Sequence, residues 1–354
     1  AQQAGEKATL RLGCIVDADS VYVNGTFVGT VSYQYPPRIY TIPAGLLKAG
    51  KNTITIRLFS YGGRPQFVKE KPYKILFGKG QPEKGESEIN LEGSWKYHLG
   101  APMPAAPGQT AFHYKPTGLY NAMIAPLLNY TVSGVIWYQG ESNISNYQFY
   151  APMMTAMVQL WRNVWEAPDM PFYYVQIAPY KYENSSNTGA ALLREAQMEA
   201  LKTIPNSGMV PTTDIGDEFC IHPPQKDVVG LRLATLALTK TYGIRRLPSN
   251  GPTMTKVDYA DKKAIVTFDN APEGLFPTFS ELEGFEIAGA DKKFYPAKAK
   301  IVGRTNTVEV WSEEVTQPVA VRYAFRNYVG NITLRNTFGL SAFPFRTDTW
   351  DDVK

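Results

Sequence analysis

The sequence predicts a mixed α/β domain with a parallel sheet, set between two all-β segments. Three observations carry that expectation. Residues 1–92 consist of short β-branched and aromatic runs bounded by turn residues. Residues 93–247 alternate short apolar runs with longer stretches of three- and four-residue periodicity, the pattern of strands and helices in a layered α/β domain. Residues 248–354 return to β-runs and turns. A chain of 354 residues is too long for one compact core, so three domains with these boundaries are expected.

In the first segment, 8–16 and 52–59 read as strands, the second with Ile54, Ile56 and Leu58 alternating toward one face. The stretch 20–31 reads as a hairpin. Val21, Tyr22 and Val23 lead into Asn24-Gly25, the pair that best tolerates the positive φ angles of a tight primed turn. The whole segment is expected to be a β-sandwich or jelly roll. In the middle segment the spacing predicts a helix over 116–128 and a buried strand over 134–138. An amphipathic helix follows over 147–165, with Tyr150, Met154, Met157, Val158 and Trp161 on one face. Next come a buried strand over 172–178, a helix over 190–203, a strand over 209–213, and a helix over 228–242 that Gly243 stops. In the last segment 264–268, 307–311 and 319–324 read as strands of a second β-sandwich.

Composition narrows the function classes. Hydrophobic content of 44% with 13% aromatic residues is enough to bury cores, and no apolar run reaches the roughly 18 residues of a membrane span, so no membrane partner is expected. A net charge of +4 over 36 Lys and Arg without a basic cluster points away from nucleic acid. The two cysteines, Cys14 and Cys220, have no metal-site or disulfide spacing and are expected to be free thiols. Residues 1–7 are polar and carry no secretion signal, so either a signal was removed or the natural start lies elsewhere.

Histidine is the scarcest useful residue, present as His98, His113 and His222. A general base working near neutral pH must come from these three. His222 stands out in Asp214-Ile215-Gly216-Asp217-Glu218-Phe219-Cys220-Ile221-His222-Pro223, beyond an expected strand and before an expected helix. Loops in that position are where α/β sheets place ligands. The bland alternative is an ordinary loop histidine before Pro223. His98 and His113 fall in the connection between segments and read as structural. Gln139-Gly140-Glu141-Ser142-Asn143 directly follows the strand over 134–138. A glycine there lets a substrate approach the backbone, Gln139 can offer an amide N–H to a developing oxyanion, and Glu141 can fix the loop. The alternative is a polar turn with Ser142 or Asn143 as a helix N-cap.

Taken in order, these segments resemble the sialate O-acetylesterase family of SGNH hydrolases. The resemblance rests on Leu119 to Pro126, on Gly134 to Asn143, on Leu193-Arg194-Glu195-Ala196-Gln197, on Ile221-His222-Pro223 with the following Gly230 to Ala234, and on Phe338 to Asp348. Asp17 to Gly25 and Pro36-Pro37-Arg38-Ile39-Tyr40 resemble a galactose-binding-like jelly roll inserted in that family. The resemblance implies a flavodoxin-like SGNH hydrolase domain, a parallel sheet in three layers, over 93–247. It is flanked by a partial jelly roll over 1–92 and a C-terminal β-sandwich over 248–354. It also implies roles. His222 matches the histidine that deprotonates a serine nucleophile, Gln139 and Gly140 match the oxyanion block, and Glu141 and Asn121 are placed with them on the substrate side. Many SGNH enzymes keep an aspartate three residues before the histidine, where this chain has Phe219. Asp217 is therefore chosen as the orienting acid, ahead of Glu218 and Asp214.

In the family the nucleophile lies in a Gly-Gln-Ser-Asn motif upstream of the jelly roll, and no such motif occurs in this chain. Ser142 imitates a nucleophile block but occupies the oxyanion position, so it ranks below a serine upstream of Ala1. An N-terminal segment of the same protein, bound non-covalently after a break in a jelly-roll loop, is expected to supply the serine and a central strand. The implied activity is removal of O-acetyl groups from sialic acid through a serine acyl-enzyme. The substrate is an O-acetylated sugar, no metal or organic cofactor is required, and the location is periplasmic or extracellular. Two alternatives stand beside it: an acetylxylan or other sugar O-acetylesterase, and a non-catalytic carbohydrate-binding assembly.

Overall fold

A computed structural model describes residues 4–351 apart from 63, 79–86, 105–110, 112–114, 246, 248 and 331. His113 lies outside the described residues. The chain divides into two compact units, Ala1–Lys115 and Pro116–Lys354.

The first unit is antiparallel β structure. One sheet pairs Ala8–Leu12 with Ile39–Ile42 on one side and Tyr73–Phe77 on the other, and Tyr73–Phe77 also pairs with Ser87–Asn90. A second sheet places Ala18–Val23 between Thr26–Val31 and Ile54–Phe59. Asn24 and Gly25 adopt φ of 48° and 84°, both positive as a primed hairpin turn demands. The alternating Ile54, Ile56 and Leu58 pack against a core that includes Leu10, Leu12, Val21 and Ile42. Inside this unit Arg38 is buried and paired with buried Asp19 at 2.6 Å. Its remaining N–H groups donate to the carbonyls of Gln34, Pro36, Ile15 and Asp17. Tyr40 Oη donates to the other Asp19 oxygen at 2.5 Å. Asp19, Arg38 and Tyr40 are thus a structural staple.

The second unit is built on a three-stranded parallel sheet: β1 (Val135–Trp137), β2 (Phe172–Val175) and β3 (Ser207–Val210), in that order. Ile136 stands in register with Tyr173, and Tyr173 with Gly208. Three helices connect and cover the strands: α1 (Tyr150–Val164), α2 (Gly189–Thr203) and α3 (Lys226–Lys240). Tyr150, Met154 and Val158 of α1 and Leu193 and Ala200 of α2 bury one face of the sheet through Phe172, Tyr174 and Met209. Val229, Leu233 and Leu236 of α3 bury the opposite face through Tyr173, Val175 and Val210. That gives a helix–sheet–helix layering, with the apolar spacing of α1 explaining why it docks on one side.

Coverage is uneven. α3 packs on β2 and β3. Ile136 of β1 points to the same side as Tyr173, yet it is 68% exposed. After β3 and α3 the chain forms two four-stranded antiparallel sheets within residues 253–346. Val266, Phe268, Val308 and Val310 of one sheet share a core with Phe285, Ile287, Val321 and Tyr323 of the other.

Local departures from the sequence reading have physical causes. The helix expected over 116–128 is replaced by a π-helical turn, Tyr120–Ile124, and a 3-10 turn, Ala125–Leu127. Neither turn buries a residue, and Pro126 lacks the N–H that would continue an α-helix. The helix expected from 147 begins instead at Tyr150, after a 3-10 stretch Glu141–Phe149 interrupted at Asn146 by φ of −127°. No helix among the described residues is long and apolar enough to cross a membrane.

Candidate active site

The carboxyl ends of the three parallel strands run into three connections: 138–141 after β1, 176–188 after β2, and 211–225 after β3. This is the edge at which parallel α/β sheets bind ligands. Gln139, Gly140 and Glu141 occupy the first connection and Asp214, Asp217 and His222 the third.

The first connection is held tightly. Tyr150 Oη donates to the Gln139 carbonyl at 2.9 Å, and the Gln139 amide nitrogen donates to Asn143 Oδ1 at 2.7 Å. One of its two amide N–H groups is thereby used, and the other has no hydrogen bond among the described residues. Gly140 is buried with φ of 155°. A Cβ there would lie 2.8 Å from Ile177 Cγ2, so only glycine lets the backbone turn against α2 at this point. Gln197 of α2 props the turn from below: its Oε1 accepts from Ile177 N–H at 2.9 Å, and its amide nitrogen reaches the Val175 carbonyl at 3.3 Å. Gln197, in the motif Leu193 to Gln197, is therefore a structural support for the Gln139 backbone.

Glu141 is half-buried and makes no ion pair or hydrogen bond among the described residues. Its charge is felt across the whole site. It raises the phenols of Tyr138, Tyr150 and Tyr182, where burial is the larger cause in each, and it acts on His222 and Lys226.

His222 is exposed, and its pKa is lowered from the ordinary value of 6.5, first by lost hydration and then by the nearby Lys226 charge, with Glu141 opposing. Its backbone is pinned by Cys220, whose Sγ accepts from His222 N–H at 3.3 Å and donates to the His222 carbonyl at 3.1 Å. Both cysteines are free and buried.

Among the acids weighed for orienting His222, Asp214 is committed elsewhere, forming a two-pronged pair with Arg232 at 2.8 and 2.6 Å. Glu218 accepts from Ser185 Oγ at 2.8 Å. Asp217 is buried, and one of its oxygens accepts from Phe219 N–H at 2.7 Å. Ser142 is exposed at the start of the 3-10 stretch, and its hydroxyl makes no hydrogen bond among the described residues. Asn121 is exposed in the π-helical turn, and its side chain donates back to Thr117 Oγ1 at 3.2 Å. Its described bonds are local and do not join it to the Gln139 and His222 loops. His98 belongs to the first unit and is exposed. Among the described residues no three His, Cys, Asp or Glu side chains are grouped as metal ligands.

Four residues to which the sequence assigned no role belong to these connections and the helices that flank them. Lys226, the first residue of α3, holds its Nζ 4.7 Å from the Tyr138 ring centroid. Arg194 of α2 is buried, and its Nε and Nη1 have no partner, while Nη2 donates to the Arg326 carbonyl. The hydroxyls of Tyr138 and Tyr182 are likewise buried without a partner. Lys226 was within reach of a sequence argument, being four residues past His222, and Arg194 stands in Leu193 to Gln197.

The chain can now be set beside known proteins. Residues 100–239 match a family model described as a carbohydrate esterase, sialic acid-specific acetylesterase. The chain is 29% identical over 230 residues to the sialate O-acetylesterase of Mus musculus, covering 59% of this chain and 42% of that protein. It is 33% identical over 170 residues to the sialate O-acetylesterase of Rattus norvegicus, covering 43% of this chain and 31% of that protein. The matches thus span less than half the length of these relatives. A crystal structure of a carbohydrate acetylesterase from Xanthomonas citri shares the fold, with a TM-score of 0.62 at 24% identity over 98% of this chain and 96% of that one. The matched span contains β1 to β3, α1, α2, most of α3 and both loops of the candidate site.

Proposed function

We propose that this chain acts in a sugar O-acetylesterase that removes acetyl groups from O-acetylated sialic acid through a serine acyl-enzyme. The observation that supports the reading is that the Gln139–Glu141 loop follows β1 and the His222 loop follows β3 on one parallel sheet, with Lys226, four residues past His222, 4.7 Å from the ring of Tyr138 next to Gln139. In the proposed reaction a serine oxygen attacks the acetyl carbonyl while His222 takes the serine proton. The carbonyl π electrons move to oxygen, and the resulting oxyanion is held by the free N–H of the Gln139 amide and the backbone beside Gly140. Collapse of this intermediate breaks the bond to the sugar oxygen, which receives the proton from His222 and leaves as the alcohol. Water, deprotonated by His222, then releases acetate and restores the serine. Asp217 is the acid assigned to hold the imidazole.

The serine is assigned to a segment upstream of this chain, with Ser142 kept as the inferior choice. The uncovered Ile136 on β1 supports a further element packed beside that strand, because apolar side chains on a parallel sheet are ordinarily covered on both faces. The finer architecture belongs to the same proposal: a flavodoxin-like SGNH domain over 93–247, a jelly roll before it and a β-sandwich after it, in a periplasmic or extracellular protein. Asn121 is retained as a substrate-side residue.

Hydrolysis of O-acetylated sialic acid and of p-nitrophenyl acetate by the full-length gene product tests the reading. Activity on both, lost in His222→Ala, supports it. Undiminished activity in His222→Ala overturns it, and sugar binding without any hydrolysis favours the carbohydrate-binding alternative.

A further inference from the structure

We propose that the antiparallel β structure after α3 carries a separate binding site for a pyranose ring of a glycan, built around Trp311 and the hairpin tip Asp261-Lys262. None of its residues belongs to the connections after β1, β2 or β3, so it does not rest on the esterase reading.

The setting of Trp311 is the first argument. One sheet orders the strands Thr253–Ala260, Lys263–Asp269, Thr307–Trp311 and Lys298–Ile301, and buries a face through Ala264, Val266, Val308 and Val310. Side chains alternate along a strand, so Lys263, Glu309, Trp311, Lys298 and Lys300 share the other face. Lys263 Nζ lies 5.5 Å and Lys300 Nζ 5.7 Å from the Trp311 ring centroid. Both ammonium groups also reach Glu309 Oε2, at 2.9 and 3.5 Å. One carboxylate thus fixes two cations beside one partly exposed indole. Next to them is a cavity of about 350 Å³ whose lining includes Asp261, Lys262, Lys263, Trp311, Glu313 and Thr316. That volume falls within the roughly 300–1,000 Å³ of small-molecule sites.

The hairpin tip that lines this cavity is the second argument. Ala260 pairs with Lys263, and the two residues between them have φ of 48° and 65°. Such a turn prefers Asn-Gly, and a lysine in the left-handed region is uncommon. Here Lys262 holds that position, and neither its ammonium nor the Asp261 carboxylate forms an ion pair or hydrogen bond among the described residues. Both side chains line the cavity instead. The lining then selects the ligand. Asp261 and Glu313 oppose Lys262 and Lys263, so there is no single-sign field of the kind that draws a polyanion. A pyranose needs a flat apolar surface for its C–H face, and donors together with acceptors for hydroxyls that do both. The indole supplies the first, and the ammonium and carboxylate groups supply the second.

The test titrates the full-length protein with two probes, sialyllactose and xylohexaose, by isothermal titration calorimetry. Saturable binding of at least one is expected, and Trp311→Ala should weaken it about fivefold, the scale of losing one aromatic contact. Trp311→Phe keeps a flat ring and should return part of the loss. Asp261→Gly keeps the positive φ, deletes the carboxylate and should weaken binding about threefold, so the test survives if Trp311→Ala does not fold. The urea midpoint of each variant checks its fold, and turnover of p-nitrophenyl acetate should be unaltered in all three. Preference for sialyllactose, weakened by salt, identifies an acidic sugar held by Lys262 and Lys263, whereas preference for xylohexaose, indifferent to salt, identifies a neutral chain. No saturable binding of either probe, or binding undiminished in both Trp311→Ala and Asp261→Gly, overturns the proposal. A protein inactive on esters that still binds a probe through Trp311 would retire the esterase reading and leave this site standing.

Discussion

Two buried arginines in this chain have opposite fates. Arg38 is enclosed in the first unit with a carboxylate partner, four carbonyl acceptors, and a tyrosine that completes the Asp19 side of the network. Arg194 is as deeply enclosed in the second unit but has one described acceptor, the Arg326 carbonyl, and burial brings its pKa down to about 10. A buried charge without compensation is costly, and proteins retain such groups where something other than stability keeps them. Around Arg194 the same incompleteness recurs in the Tyr138 and Tyr182 hydroxyls and the Gln176 carbonyl oxygen. One network is closed and holds a fold. The other is open, with members in α2 and in the connections that follow β1 and β2.

If that contrast is right, substitutions in the closed network should cost stability and those in the open one should cost little. The largest effect is expected for Asp19→Ala, which leaves the Arg38 charge buried and removes the acceptor of Tyr40. Urea denaturation should show a loss of about 3–5 kcal/mol, the usual cost of breaking one side of a buried pair. A loss below about 1 kcal/mol would mean that Arg38 finds water or another partner, and the staple would be misassigned. Gln139→Ala is the converse experiment. Turnover by the full-length enzyme should fall roughly 100-fold, about 2.7 kcal/mol in the barrier, with the denaturation midpoint nearly unchanged. Unchanged turnover would reduce Gln139 to a turn residue bonded to Asn143.

How much of this was legible beforehand differs between the two networks. The Asn24-Gly25 hairpin, the alternation of Ile54, Ile56 and Leu58, and the spacing of Tyr150, Met154 and Val158 are local patterns, and local patterns determine which face of an element turns inward. The pairing of Asp19 with Arg38 joins residues 19 positions apart across two different strand connections, which no periodicity reports. The segment expected to be a helix over 116–128 is helical but divided into a π-helical and a 3-10 turn that bury no residue, and burial is what ordinarily stabilises a regular α-helix. At the candidate site, His222 stood out because histidine is scarce in this chain, and Gln139 and Gly140 because they directly follow an apolar run. Lys226, Arg194 and Glu141 were not weighed as a charge system, because which charges are paired is decided by packing.

Arg194→Met probes the open network more gently. The substitution keeps an unbranched side chain and removes a charge that lacks a described counterion, so stability should change by less than about 1 kcal/mol. A loss of several kcal/mol would show that Arg194 is fully compensated and that the two arginines are equivalent.

The smallest effect is expected for Tyr182→Phe, and it is the sharpest discriminator because it deletes one oxygen and leaves the ring. Tyr182 packs edge-on against Tyr180 at 4.8 Å between ring centroids, and phenylalanine can keep that contact. Its hydroxyl is buried without a hydrogen bond, and burial is the main reason its pKa is raised. An unsatisfied buried hydroxyl carries a desolvation cost of about 1–3 kcal/mol, so deleting it should leave stability unchanged or improve it by up to about 1 kcal/mol. The same change in Tyr40, whose hydroxyl bonds Asp19 at 2.5 Å, should instead lose about 1.5–3 kcal/mol, the range for a hydrogen bond to a charged group. Measured side by side by urea denaturation, Tyr40→Phe and Tyr182→Phe should therefore differ in sign or nearly so. Equal losses in the two would mean that the Tyr182 hydroxyl is satisfied in solution, and the distinction between a closed and an open network would fail at the position where it is easiest to see.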